Sequence, residues 1–333
     1  MVERSTKALV KRALARRELT LMALLVILLV PISIRSPQFL SPSNVNRILN
    51  DMAILAIVAI GQFYVILSGG IDLSVGSVIA FTGMACGMLN EAHPTISPFV
   101  LLLVGIAIGF LMGLFNGVLV AYGKIPPIIT TLGTVNIYRG MTFLLSGGSW
   151  VTAHELSTAY IAFPRNTFLG ISYLLWIAFA ALAVFYYFGR FTRTGREIYA
   201  IGGNPTAAKF VGVNENKIRV IVFLVSGTLC GLAGALWTAR YASAVNEMAT
   251  GFEMQAVAAC VLGGVNFSGG AGGIIGVALG TLFLGVVTNA LPVVYLSVFW
   301  QTFVQGLIIL IALALNTISD QRKYKRMLAQ RRA

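Results

Sequence analysis

The sequence predicts an all-α, polytopic membrane protein with about ten transmembrane helices, some of them broken, an internal repeat, and both termini in the cytoplasm. Three observations lead to this fold class. Hydrophobic residues make up 57% of the 333 residues and charged residues only 11%, with a mean hydropathy of +0.85, which is outside the range of soluble domains. A glycine-rich phrase occurs twice, and lysine and arginine are concentrated in three segments.

The repeated phrase reads Gly-Gly-Ile-Asp-Leu-Ser-Val-Gly at 69–76 and Gly-Gly-Val-Asn-Phe-Ser-Gly-Gly at 263–270. Each copy follows one strongly apolar run and leads into another. Glycine-interrupted hydrophobic segments in corresponding places are typical of transporters whose helices break to line a path across the membrane. The repeat therefore predicts two helix breaks at membrane depth, related by an internal symmetry.

Apolar runs mark the spans, since roughly 20 apolar residues suffice to cross a bilayer. The predicted spans are 19–34, 53–68, 75–89, 98–122, 128–146, 171–188, 220–239, 255–264, 274–291 and 296–318. Run 255–264 is short for a full crossing, so the count is nine or ten. Residues 41–52 place apolar side chains at helical spacing against polar ones, which predicts a separate short amphipathic helix at the outer interface.

The basic residues set the orientation and the domain boundaries. They cluster in an N-terminal tail (1–18), a loop (189–219) and a C-terminal tail (319–333). Segments with an excess of lysine and arginine stay in the cytoplasm, so these three are predicted to be cytoplasmic and to flank or interrupt a transmembrane domain at 19–318. Because most of the lysines and arginines behind the net charge of +13 lie in these segments, we interpret the charge as setting the orientation of the chain in the membrane. We therefore expect no nucleic-acid partner.

Neither the cysteines nor the histidines form a pattern typical of a metal site. The three cysteines, Cys86, Cys230 and Cys260, lie in apolar runs, where cysteine is usually a small packing residue, and His93 and His154 fall in different loops. We therefore expect no metal site and no cofactor on this chain.

Several polar residues lie in or beside the apolar spans, where they are costly and are functional candidates by default. Asp72 is the most informative of them, with two compatible interpretations: it caps the helix that starts near Ser74, or it lines a path. Helix–helix hydrogen bonding is the alternative role for the buried amides. The residues expected to line a translocation pathway are Asp72, Ser74, Asn116, Thr130, Thr134, Asn136, Arg139, Asn266, Ser268 and Asn289. Such a mostly uncharged lining suits a neutral hydroxylated solute better than an ion.

The basic loop contains a short predicted helix. Asn204 is a good N-cap, Pro205 a good first helical residue and Gly212 a good C-terminal stop. A helix of about seven residues is unstable alone and is suited to insert into a groove on another protein, where glutamate at Ala208 would introduce an uncompensated charge. The residues that define the helix and its ends are Gly203, Asn204, Pro205, Ala207, Ala208, Val211 and Gly212.

Four ordered motifs resemble one family over nearly the whole chain. They are the phrase at 69–77, the Pro-Pro, Thr-Leu-Gly-Thr and Tyr-Arg-Gly motifs within 126–140, the loop 195–212, and the segment 263–276. Together they resemble the membrane permease of ATP-binding-cassette (ABC) sugar importers, in the branch that serves ribose, xylose, rhamnose and autoinducer-2, within the branched-chain-permease-like superfamily. Departures at Phe63 and at 265–267 leave the sugar open.

The resemblance implies a permease subunit in the bacterial cytoplasmic membrane that moves a sugar by alternating access. It implies three protein partners: a cytoplasmic ATPase that carries ATP and magnesium, a second permease subunit, and an extracytoplasmic sugar-binding protein. Residues 204–212 would be the coupling helix that docks on the ATPase. The chain has no Gly-x-x-x-x-Gly-Lys-Ser/Thr phosphate loop, so we expect it not to be an enzyme. The alternative is a secondary transporter in which Asp72 couples an ion.

Overall fold

The computed structural model describes residues 17–294 together with positions 300, 303, 306, 307 and 310. Its α-helices are α1 (Arg17–Arg35), α2 (Pro42–Leu67), α3 (Val75–Ala92), α4 (Pro98–Ala121), α5 (Pro127–Ser146), α6 (Thr158–Ala162), α7 (Tyr173–Phe191), α8 (Arg193–Gly203), α9 (Pro205–Phe210), α10 (Glu215–Tyr241), α11 (Phe252–Leu262) and α12 (Ile274–Ala290). The 3-10 turns are Pro37–Leu40, Phe163–Arg165 and Pro292–Val294. Strand β1 (Thr167–Phe168) pairs antiparallel with β2 (Ile171–Ser172). The predicted C-terminal tail, residues 1–16 and most of the predicted span 296–318 lie outside the described residues.

The protein is a mostly helical, polytopic membrane protein. Helices α2, α4, α7 and α10 are long and apolar enough to cross a membrane, and the apolar part of α1 (Leu21–Arg35), α11 and α12 are shorter. The 11 residues of α11 cover only about 16 Å at 1.5 Å per residue, roughly half of a bilayer core of about 30 Å. Helix α11 is therefore too short to cross alone, and the non-helical residues 263–273 continue its path.

Contacts at the helix ends show that the chain passes back and forth between two ends of the molecule. At one end Lys124, just after α4, donates to Asn216 in the first turn of α10 at 2.6 Å. At the other end Asn90, near the end of α3, donates to Ser157 at 3.0 Å. We call the first the α9 end, because α8 and α9 precede α10 there, and the second the hairpin end, because β1 and β2 precede α7 there.

Helix α2 is continuous from Pro42 to Leu67, so the prediction of a separate interfacial helix at 41–52 is wrong. Its N-terminus follows from Ser41, whose hydroxyl accepts the Asn44 amide hydrogen at 3.4 Å, and from proline at the first helical position. Two of its polar residues are paired with other elements of the protein. The Ser172 hydroxyl donates to Asn50 Oδ1 at 2.6 Å and Arg240 pairs with Asp51 at 3.0 Å, so nothing holds this stretch at the interface as a separate element.

The glycine stripes place helices in backbone contact. A Cβ atom built on Gly109 of α4 would overlap the carbonyl oxygen of Gly227 and the backbone of Gly231 on α10. The stripe in α12 meets the end of α11 in the same way, because Gly276 faces the Gly263 carbonyl. Such close approach is how small residues drive helix association in lipid, where no hydrophobic force acts between helices.

Both predicted helix breaks are present, and each begins with a left-handed glycine. Gly69 (φ 83°) follows the end of α2 at Leu67, and Gly264 (φ 84°) follows the end of α11 at Leu262. In each case the following amide donates back into the last turn, Gly70 to the Val65 carbonyl and Val265 to the Cys260 carbonyl, both at 3.0 Å. This is the glycine-dependent Schellman end. The left-handed glycine is the first residue of the first phrase and the second residue of the second, so the two copies are offset by one.

The predicted basic loop is itself mostly helical. It contains α8 and α9, and α10 already begins at Glu215. Helix α8 starts because the Thr192 hydroxyl accepts the Gly195 amide hydrogen at 3.1 Å. The loop therefore presents a short helical pair at the α9 end.

Replacing Gly109 with valine should force α4 away from α10 and cost about 1–3 kcal/mol of stability through overpacking. The matched control is Gly140→Val, because a Cβ built on Gly140 meets no atom within 4 Å. The measurement is thermal unfolding of the purified chain with a thiol-reactive dye, since Cys86, Cys230 and Cys260 are all buried. Equal melting temperatures for the two variants would contradict this packing.

Candidate functional site

The first helix break centres on the buried side chain of Asp72, which is 2% exposed. Its Oδ1 accepts the Ser74 amide hydrogen at 2.9 Å and the Ser74 hydroxyl at 2.6 Å. Its Oδ2 accepts the hydroxyl of Ser226, on α10, at 2.8 Å. Ser74, not Asp72, is the N-cap residue of α3, so the carboxyl group organises the turn before the helix and receives no amide from the helix itself.

Hydrogen bonds extend from Asp72 to α4 and α5. The Asn116 amide donates to the Ser74 hydroxyl at 2.9 Å. The Tyr138 hydroxyl hydrogen is shared between Asn116 Oδ1 at 3.1 Å and the Met112 carbonyl at 2.9 Å. Each of these side chains is at most 3% exposed. Buried polar groups are stable only when they are paired, and this chain of hydrogen bonds pairs them across α3, α4, α5 and α10.

The backbone of the break is also paired. In the amide orientation that satisfies both groups, the Gln62 side chain of α2 donates to the Asp72 carbonyl at 3.0 Å and accepts its amide hydrogen at 3.3 Å. The Thr131 hydroxyl lies 3.3 Å from the Ile71 carbonyl and can donate to it. The sequence analysis did not name Gln62, Thr131, Tyr138 or Ser226 as site residues. Signals were present for three of them, since Thr131 and Tyr138 begin two of the motifs within 126–140 and Gln62 is a large amide inside an apolar run.

The second break repeats the local turn of the first in a more open place. Asn266 Oδ1 accepts the Ser268 amide hydrogen at 3.2 Å, as Asp72 does from Ser74. Asn266 is partly exposed and Ser268 is exposed. The two breaks touch, because the Gly270 amide donates to the Leu67 carbonyl at the end of α2 at 2.9 Å.

The end of α8 contacts both breaks. A Cβ on Gly202 would overlap the Leu67 carbonyl and the Gly270 amide, so only glycine permits this approach. One turn earlier in α8, the Tyr199 hydroxyl donates to the Gly272 carbonyl at 2.9 Å. The two repeated phrases and the helix that precedes α9 therefore meet at one place.

Arg139 finds its partners in the segment between α10 and α11. Its Nη1 donates to the carbonyls of Asn246 and Met248 at 2.7 and 3.0 Å. Asn246 is fully buried, and its Oδ1 accepts the Ser146 hydroxyl at 2.8 Å. These contacts join α5 to the chain between α10 and α11.

That chain, residues 242–251, is a re-entrant segment. The atoms that neighbour glycines of α3 come from Ala244 at Gly87, Met248 at Gly83 and Ala249 at Gly76. It thus follows α3 inward from the hairpin end for about 16 Å. The segment packs against the α3 glycines, and Arg139 donates to its buried carbonyls.

The remaining pathway candidates have no described hydrogen bond to the side chain of Asp72 or to the partners of Arg139. Asn136 and Asn289 donate to carbonyls of their own helices, Leu132 at 3.1 Å and Gly285 at 3.0 Å. Thr134 donates to the Thr131 carbonyl at 3.3 Å. Thr130 is buried and its hydroxyl has no described partner. The ten candidates therefore occupy several separate places, and their role in a pathway stays a prediction.

Helix α9 has the ends that the sequence predicts. Asn204 Oδ1 accepts the Ala207 amide hydrogen at 2.9 Å, Pro205 is the first helical residue, and Gly212 is left-handed (φ 82°). Ala208 is only 4% exposed, whereas Phe210 and Val211 are 87% and 79% exposed. The large hydrophobic side chains exposed here are those of Phe210, the last residue of α9, and Val211, its C-cap. The expectation that glutamate at Ala208 would enter a partner's groove is wrong, since that side chain packs inward.

The motif pattern and this geometry agree with a comparison to known proteins. The family model described as "Branched-chain amino acid transport system / permease component" matches residues 44–313. The chain belongs to this permease family. The match includes both helix breaks, the re-entrant segment, α8 and α9, so the resemblance inferred from the motifs is confirmed.

Individual members of this permease family are similar over most of their length. A ribose import permease protein of Haemophilus influenzae is 38% identical over 90% of this chain and 93% of its own. A ribose import permease protein of Bacillus subtilis is 37% identical over 88% and 90%. An autoinducer 2 import system permease protein of Escherichia coli is 35% identical over 90% and 86%. No solved structure matches the chain.

Replacing Asp72 with alanine should destabilise the first break, because two hydroxyls and one amide lose a buried acceptor at about 1–3 kcal/mol for each group left unpaired. Asn266→Ala, at the equivalent but more open turn, should cost less because water can replace the acceptor. Thermal unfolding of both variants and of Asp72→Asn, which keeps one acceptor oxygen, measures the difference. A smaller loss for Asp72→Ala than for Asn266→Ala would contradict the assigned network.

Proposed function

We propose that this chain is the permease subunit of an ABC importer that moves a monosaccharide or sugar-like solute across the bacterial cytoplasmic membrane by alternating access. The observation that carries the proposal is the family membership together with relatives named as ribose and autoinducer 2 import permeases at 35–38% identity. A polar but mostly uncharged set of intramembrane side chains supports a neutral hydroxylated solute. The pathway residues proposed above belong to this proposal.

The energy source is proposed to be a separate cytoplasmic ATPase. The sequence has no phosphate loop of its own. The C-terminal end of the six-residue helix α9 offers two exposed apolar side chains, Phe210 in its last position and Val211 at its C-cap, which suits insertion into a groove of another protein. The contact of Gly202 with both breaks supplies a direct route from such a docking helix to the membrane region.

The orientation is part of the proposal. Ten spans with both termini inside place the tails 1–18 and 319–333 and the loop 189–219 in the cytoplasm, in keeping with their positive charge. The α9 end is then cytoplasmic and the hairpin end extracytoplasmic. A second permease subunit and an extracytoplasmic sugar-binding protein complete the proposed assembly, with the lipid bilayer around the transmembrane domain at 19–318.

Ion-coupled secondary transport is not proposed. It requires Asp72 to bind and release an ion, whereas both carboxyl oxygens already accept hydrogen bonds from buried groups of α3 and α10. An ion would have to displace Ser74 or Ser226, each fully buried.

Uptake in reconstituted vesicles tests the proposal as a whole. With the ATPase and the binding protein present, labelled pentose, methylpentose or a furanosyl signalling compound should accumulate only when hydrolysable nucleotide is supplied. Vesicles that lack this chain are the control for leakage. Accumulation driven by a proton gradient alone, without nucleotide, would overturn the importer proposal.

Replacing Phe210 with aspartate tests the docking role of α9. The change puts a charge on the exposed face while the inward-facing Ala208 is kept, so membrane insertion and melting temperature should be unchanged. Loss of a buried aromatic anchor costs about 2 kcal/mol or more at an interface, about 30-fold in affinity. ATPase co-purification should fall accordingly.

The matched control is Leu169→Asp, an apolar residue 77% exposed at the hairpin end. It introduces the same charge at the opposite end of the molecule and should leave ATPase co-purification intact. If Phe210→Asp retains the ATPase as fully as Leu169→Asp does, α9 is not the docking helix.

A further inference from the structure

A cavity of about 510 Å³ lies at the α9 end, between α2, α7, α8 and the start of α12. It adjoins the second break, because Gly272 and Gly273 are among its lining residues, and its lining does not include Phe210 or Val211. One wall is apolar and aromatic, with Phe185, Tyr186 and Ile274 among its residues, and the other carries Arg190, Arg196 and Tyr199. A cavity with one apolar wall and one cationic wall fits an amphipathic anion.

The two arginines have no carboxylate partner among the described residues. The ion pairs recorded there involve Arg193, Arg219 and Arg240. Arg196 makes one long hydrogen bond, from Nη1 to the Phe191 carbonyl at 3.4 Å, and both arginines are exposed. Planar guanidinium groups bind phosphate oxygens in pairs of hydrogen bonds, so two unpaired ones at one cavity favour a phosphate group.

The position of the cavity favours a lipid as the source of that phosphate. Arg190 lies in the last turn of α7, one turn beyond Tyr186, so the charged wall begins where a membrane-crossing helix ends. Basic pockets between transmembrane helices on the cytoplasmic side bind anionic headgroups. The chain's own tails are poor occupants, because residues 1–18 and 319–333 are strongly basic and would be repelled.

We propose that this cavity binds an anionic phospholipid of the surrounding leaflet, with its phosphate on Arg190 and Arg196 and its glycerol and upper acyl chains against Phe185, Tyr186 and Ile274. Tyr199 joins the site to the second break through its hydrogen bond to the Gly272 carbonyl. The bound lipid therefore fills the space between α8 and the start of α12. The inference does not require the proposed transport function.

The test is lipid binding to the full-length chain in nanodiscs of phosphatidylcholine with a minor fraction of phosphatidylglycerol, measured by native mass spectrometry. The double variant R190Q/R196Q removes both charges and keeps side chains of similar length. At about fivefold per arginine near the membrane surface, it should lose roughly 30-fold in affinity for phosphatidylglycerol and nothing for phosphatidylcholine.

The matched control is R193Q. Arg193 is on α8, the helix that carries Arg196, but it pairs with Glu197 at 2.7 Å and its side chain is 84% exposed. Its replacement should therefore leave phosphatidylglycerol binding unchanged. Equal binding of phosphatidylglycerol by the double variant and the unaltered chain would overturn the proposal. Displacement of the lipid by inorganic phosphate or by an added ATPase subunit would also overturn it, by assigning the cavity to a free anion or to the protein interface.

Because the measurement uses the permease alone without nucleotide, its outcome is independent of the vesicle experiment. A failed lipid test would leave the importer proposal standing. A failed importer test would leave the lipid site standing.

Discussion

The structure depends on one constraint: a helix that breaks within lipid releases amide and carbonyl groups that water cannot reach. Non-helical backbone is tolerated at membrane depth only where protein or a wet cavity supplies partners. Here the partners are specific. The Gly270 amide donates to the Leu67 carbonyl, and the Gln62 side chain donates to the Asp72 carbonyl and accepts its amide hydrogen. The Thr131 hydroxyl lies within hydrogen-bond distance of the Ile71 carbonyl. Each break is thus satisfied by a different part of the chain, which fixes the two repeats against each other.

Close backbone approach makes this pairing possible. Gly109 and Gly227 let α4 and α10 touch, which brings Ser226 to Asp72 and leaves Asn116 facing Ser74. A side chain at either glycine would overlap the facing backbone and push the two helices apart. The packing and the polar network therefore depend on each other: the small residues set the distance between the helices, and the polar residues form hydrogen bonds across that distance.

The sequence predicted those features whose cause is local. The two helix breaks, the Asn204 cap with Pro205, the Gly212 stop and the apolar spans follow from short-range chemistry. The features that it failed to predict depend on distant partners. Helix α2 continues through its polar stretch because Ser172 and Arg240 pair with Asn50 and Asp51. Asn246 and Met248 are buried and Arg139 donates to their carbonyls, and the inward face of Ala208 is set by packing. In each of these hydrogen bonds and ion pairs the two partners are more than a hundred residues apart in sequence.

The contact of α8 with both breaks also determines how a displacement of α8 would be transmitted to the membrane region. Gly202 contacts Leu67 and Gly270 through backbone atoms, so no flexible side chain lies between α8 and either break. Protein interiors are close-packed and transmit displacement, because their elements cannot deform continuously. If a partner grips α9, a shift of α8 must either move the ends of α2 and of the 263–273 segment together or break the Gly270–Leu67 hydrogen bond. Breaking it would leave a carbonyl unpaired, at a cost of about 1–3 kcal/mol. Joint movement is therefore favoured, and the two breaks would respond as one unit to a shift of α8 and α9.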